Sequence, residues 1–206
     1  MNRWMYWITI IVAFALATGL FVVLPSKAAE WLVKGVFWRN AVEVGLRLAL
    51  FVLYVVGISF LPDLRRLFRY HGAEHKTVNA YEAGEPLTVE NVRRYDTVHA
   101  RCGTSFIILL IILAMLAHLA LGWPSFWWRV GSRLALLPVV AGVAYEIIRL
   151  AGQKKHARWL APVVMPGVWL QRITTRQPSD DMVEVAIKAM ETALADDRRA
   201  AEQKSA

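Results

Sequence analysis

The chain has 206 residues, 57% of them hydrophobic and 19% charged, with a net charge of +8, a pI of about 9.9 and a mean hydropathy of +0.39. That is too apolar for an ordinary soluble domain, and apolar runs of roughly 20 residues are the mark of membrane spans. The Lys and Arg residues stand beside those runs, which fits the positive-inside bias and argues against a nucleic-acid partner, while a single cysteine excludes an internal disulfide.

The first apolar run, Met5 to Leu24, begins with Trp4, Tyr6 and Trp7, aromatic residues suited to a membrane interface. It is long for a signal-peptide core and reads as a retained span. Pro25 to Asn40 reads as a linker lying on the membrane surface. A second span is expected over Ala41 to Leu61, with Glu43 and Arg47 four apart on one face as a boundary ion pair. Arg65, Arg66 and Arg69 follow at once and mark the cytoplasmic side. After a polar island, a third span runs from about Thr104 to Gly122, an aromatic turn carries Trp123, Pro124, Trp127 and Trp128, and a fourth span runs from Ser132 to Ala151. Glu146 and Arg149 occupy its last turns, and an intramembrane carboxylate is a functional candidate by default.

Lys154, Lys155, His156 and Arg158 again indicate the cytoplasm. Trp159 to Leu170 is too short to span and carries Pro162 and Pro166, so it reads as an interfacial or re-entrant segment. Ser179 with Asp180 and Asp181 starts a helix on which Val183, Ile187, Met190 and Leu194 recur at helical spacing. The expected fold is all-α: a polytopic membrane protein of about four spans with both termini cytoplasmic. Residues 1–61 and 104–151 hold the spans, 62–103 the island and 152–206 the C-terminal segment and helix.

The island, Tyr70 to Thr104, is where chemistry is expected. It holds His71, His75, His99 and Cys102 among Glu74, Glu82, Glu85, Glu90 and Asp96. His71 to His75 is an H-x-x-E-H string, and imidazoles four apart on a helix can reach one metal. Glu74 stands where the inverted zincin pattern puts its general base. His99 and Cys102 are spaced so that one turn offers two ligands. The expected site is zinc on His71, His75, His99 and Cys102, since a thiolate favours zinc over harder ions. The expected scaffold is a helix carrying His71 to Glu82, a turn at Gly84-Glu85-Pro86 and a second helix capped by Thr88, closing a helical hairpin. Four protein ligands make a closed structural site; three leave a position for water and favour catalysis. Glu82, Glu146 and Arg149 are candidates for roles around the ligands or within the membrane.

The island, with Tyr145 to Ala151 and Pro166 to Arg176, resembles the bacterial YqhQ family, membrane proteins of unknown function described as predicted metal-dependent enzymes. The resemblance runs from about residue 40 to 195 and implies a metal. One departure stands out. Family members usually begin with a glycine-rich soluble segment that this sequence does not carry, so a fragment, a split form or a non-catalytic relative is expected.

Two functions compete. One is a zinc-dependent hydrolase in the bacterial cell membrane acting on a membrane-associated substrate, with Glu74 as base. The other is a non-enzymatic accessory or assembly factor, partnered by another membrane protein, whose metal is structural and whose contacts are made by Thr174, Thr175, Arg176 and Gln177. The lipid bilayer is the partner common to both. Transport is weakly motivated by Glu43, Arg47, Glu146 and Arg149, and four spans without a paired broken-helix repeat argue against it.

Overall fold

The computed structural model describes residues 3–121, 126–153 and 157–205, and every regular element among them is a helix. Two units are distinct: Met1–Val55 with Leu109–Glu146, and Val56–Ile108 with Ile147–Ala206.

In the first unit, α1 (Arg3–Thr18) passes through a π-helical turn (Gly19–Val23) into α2 (Leu24–Leu32), where Pro25 sits at a helix start and breaks nothing. The helix therefore runs through much of the stretch expected to be a surface linker. The chain turns at Gly35, whose φ of 90° suits glycine, and α3 follows over Val36–Ile58, somewhat earlier than the expected Ala41 start. Arg47 forms the expected ion pair with buried Glu43 at 2.5 Å. Its Nε also donates to the Phe21 carbonyl at 2.7 Å, inside the π-helical turn, where the backbone hydrogen-bond ladder is irregular. Phe21 meets Phe51 and Tyr54 edge-on. No residue of α1 is buried, and Trp4, Ile8, Ile11 and Phe14 stand open. Among the described residues, Arg3–Leu32 and Val36–Ile58 are long and apolar enough to cross a membrane.

The second unit is organised around α4 (Pro62–Glu82). Leu61 is extended before Pro62, which opens the helix, and Asp63 complements the positive end of its dipole. Gly84, at φ 78°, ends it. Thr88 caps α5 (Val89–Arg93), its side chain accepting from the Asn91 amide at 3.3 Å. The expected second helix of a hairpin is thus only five residues long. Beyond it, residues 94–102 return along α4 as a non-helical strap. Side chains of α4 supply donors to carbonyls along this return. Buried Lys76 donates to Arg93 O at 3.0 Å and to Tyr95 O, and Asn79 donates to Asp96 O and Val98 O at 3.0 Å each. Burial lowers the Lys76 pKa against the pull of Asp96.

α9 (Asp180–Ser205) packs on α4. Ala73, Ala80, Val92, Met182, Val183 and Ile187 form a buried cluster with Tyr70, Leu87 and Tyr95 at its edge. α9 stays helical to Ser205. The helices α6 (Gly103–Leu121) and α7 (Phe126–Ala151) cross the division between the units. α8 spans Ala157–Thr174 and contains Pro162 and Pro166 without ending at either. Two prolines four apart lie on one stripe, so the backbone bonds they remove fall on a single face. The interfacial segment expected at 159–170 is therefore part of a continuous helix. Trp123 and Pro124 of the expected aromatic turn, and Lys154, Lys155 and His156, lie outside the described residues.

Candidate metal centre

His71 and His75 share the α4 face that looks onto the strap and the end of α8. His71 Nδ1 meets the Thr174 carbonyl at 2.9 Å, and His75 Nδ1 meets the Thr97 carbonyl at 2.6 Å. A carbonyl only accepts, so each Nδ1 carries a hydrogen and Nε2 is the atom left to meet a metal, once any proton there has gone. This is the arrangement that orients metal-binding histidines. The two rings stand edge-on, 4.4 Å between centroids.

Cys102, at the end of the strap, brings Sγ to 3.3 Å from His71 Nε2 and 3.1 Å from Thr104 Oγ1. Ligand atoms of His71, His75 and Cys102 lie within 4.8 Å of one another. His75 and Cys102 are buried. Burial works to raise the Cys102 pKa, but hydrogen bonds from His71, His75 and Thr104 outweigh it and bring the thiol down to about 5. The bond to Cys102 raises the His71 pKa; burial opposes it, and the Thr174 carbonyl adds to it. Two imidazole nitrogens and a thiolate-prone sulfur fit a soft divalent metal such as zinc.

The structure brings His71, His75 and Cys102 together and places the other candidates elsewhere. His99 lies beside His75, with ring centroids 5.9 Å apart, yet both its nitrogens are engaged. Nδ1 accepts from the Arg101 amide at 3.3 Å, and Nε2 faces Glu82 Oε1 at 3.3 Å. Glu82 also pairs with the Arg101 guanidinium. Glu74 is exposed on another α4 face, lining an apolar groove with Tyr70, Val185, Ala186 and Met190 against α9. The reason is angular. Residues adjacent on a helix point about 100° apart, so Glu74 cannot follow His75 inward. Glu146 and Arg149 are exposed on α7.

Gln171 of α8 is wholly buried and was not picked out as a site residue. Its Oε1 accepts from the His99 amide at 2.9 Å, while Nε2 donates to the His99 carbonyl at 2.9 Å and to Ser105 Oγ at 2.6 Å. It thereby clamps the turn leading to Cys102. Nothing local in the sequence marks it, because its partners lie up to 72 positions away. Gln171→Leu is expected to strand these groups and lower stability by about 2–4 kcal/mol, since each buried unsatisfied group costs about 1–3 kcal/mol. Thermal unfolding of the detergent-solubilised variant measures it.

An all-α protein with two helices of membrane-crossing length and a His/His/Cys cluster suited to a metal is the class these features define. The chain belongs to the family described as "Protein of unknown function (DUF1385)", which matches residues 1–196. It is 37% identical over 188 residues to the uncharacterized protein YqhQ of Bacillus subtilis (strain 168). That alignment takes in 89% of this chain and 59% of the relative, so the chain spans less than two thirds of the curated protein it matches. No solved structure matches it.

Proposed function

We propose that the chain is a multi-pass membrane protein whose His71, His75 and Cys102 hold one zinc ion on the cytoplasmic side, leaving a coordination position for solvent or substrate. The observation that carries this reading is the convergence of the three ligand atoms within 4.8 Å, with both histidine Nδ1 atoms tied to carbonyls. Zinc with three protein ligands brings a bound water to a pKa of about 7 and polarises a carbonyl or phosphoryl oxygen. The chemistry proposed is hydrolysis of a membrane-associated substrate. The chain's own contribution is to fix two tautomers, keep the thiol ionised and shield the cluster. In this reading α6 and α7 are two further spans, and both termini lie in the cytoplasm.

The competing reading is a structural metal in an accessory or assembly factor. It draws on the closeness of His99 to His75 and requires His99 to leave Glu82 and become a fourth ligand.

Metal uptake by the purified chain across pH tests the proposal. Zinc binds deprotonated ligands, so it must displace the His71 proton, which is held more tightly than usual because that pKa is raised above 6.5. Affinity should therefore begin to fall at a pH above 6.5, at about tenfold per pH unit for that proton, and fall more steeply below about 5 as Cys102 also protonates. Affinity that is flat from pH 8 to 5, or no stoichiometric uptake at any pH, counts against it.

A further inference from the structure

Three arginines at the foot of α4 face a cavity that the metal centre does not use. The cavity measures about 430 Å³ and is lined by Phe60, Pro62, Arg65, Arg66, Arg69, Ser179, Asp181 and Met182. Its volume falls within the roughly 300–1,000 Å³ usual for small-ligand sites. Arg65 and Arg66 are exposed, and among the described residues neither pairs with a carboxylate. Arg66 lies over the Tyr70 ring, 5.9 Å from its centroid, which fixes the side chain without neutralising it. Arg69 donates Nε to the Gln177 carbonyl at 3.2 Å, leaving its terminal nitrogens for a ligand.

The one carboxylate in the lining, Asp181, stands at the start of α9. The Ser179 side chain, the first amides of that helix and Arg69 favour its charged form and hold its pKa below the usual carboxylate value. The lining thus carries three cations against one anion. On one side the cavity is floored by Phe60 and Pro62, the residues that carry the chain out of the apolar α3. A solvated patch that merely marks the cytoplasmic side needs neither a cavity nor an apolar floor.

We propose that this cavity binds the phosphate of an anionic membrane lipid, with Arg65, Arg66 and Arg69 on the phosphate oxygens and Phe60 against the glycerol or upper acyl region. Guanidinium forks match phosphate geometry, and a basic cluster next to a span is suited to an anionic headgroup. The lipid assignment rests on α3 spanning the membrane as proposed above; it does not rest on the metal centre.

The test uses the full chain in neutral detergent micelles. Energy transfer is followed from its nine tryptophans to phosphatidylglycerol or phosphatidylcholine dansylated on the acyl chain. The parent should bind the anionic probe about tenfold more tightly than the choline probe. Arg65→Gln with Arg66→Gln and Arg69→Gln should abolish that preference. Lys188→Gln with Arg198→Gln and Arg199→Gln, which removes as many exposed charges from α9, should keep it. Arg65→Gln alone, at an exposed position with no carboxylate partner, should reduce the preference about threefold and decides the matter if the triple variant loses its helix content. Equal preference in parent and Arg65 variants overturns the proposal, as does equal loss in the α9 control. Millimolar inorganic phosphate should displace little of the anionic probe; displacement as effective as that by unlabelled phosphatidylglycerol overturns the lipid assignment. Absence of transfer to either probe overturns the pocket and the membrane reading together. Equal transfer to both in the parent overturns the pocket alone.

Discussion

Cys102→Ser should lower zinc affinity by more than the roughly 10–100-fold that follows from losing an outer partner of a metal ligand, because it removes a ligand itself. The sulfur is the one soft donor in the cluster, and a serine hydroxyl is neither ionised at neutral pH nor suited to zinc. His99→Ala should retain zinc in the same competition against a chromophoric chelator, since both His99 nitrogens are committed to Arg101 and Glu82. The pair of variants separates three ligands from four. Parent-like affinity in Cys102→Ser would remove the thiolate from the account, and zinc lost with His99 would make the site closed and structural.

The second large effect is expected at Gly72, between the two histidine turns of α4. On helix propensity alone, replacing a mid-helix glycine by alanine gains about 0.5–1 kcal/mol. Here the sign should reverse. A Cβ on residue 72 would stand 2.1 Å from the Arg176 carbonyl oxygen, with the carbon and nitrogen of that residue at 3.2 and 3.3 Å. The obstacle is backbone, held in place by the Arg176 amide bond to the Phe68 carbonyl at 2.9 Å, so no side-chain rotation relieves it. Gly72→Ala is expected to destabilise the second unit by about 1–3 kcal/mol, the usual range for overpacking. It should also weaken zinc binding, because the displaced segment includes Thr174, whose carbonyl orients His71. Thermal melts with and without zinc measure both effects; a variant more stable than its parent would show that α4 and the end of α8 do not approach this closely.

What could be read from the sequence follows the range of the interactions involved. The helix through His71 and His75, the Thr88 cap, the turn at Gly84 and the Glu43–Arg47 pair all depend on residues within a few positions of one another, and local spacing carried them. Cys102 joined the histidines because the strap returns along α4. The same return set His99 against Glu82 and Arg101, three side chains whose meeting no local pattern encodes. Glu74 matched a motif by its order in the chain, while its direction on the helix turns it toward α9. Gln171 and Thr174 act across 72 and 103 positions, on a helix whose prolines suggested an interruption. The expectation of membrane spans came from composition, and Arg3–Leu32 and Val36–Ile58 are long and apolar enough to cross a membrane.

X-ray absorption at the zinc edge, on the full chain loaded with one equivalent of zinc at neutral pH, bears most directly on the ligand set. The account predicts one sulfur at about 2.3 Å, two imidazole rings and one further light atom. A spectrum with no sulfur, or with three imidazoles, would contradict it.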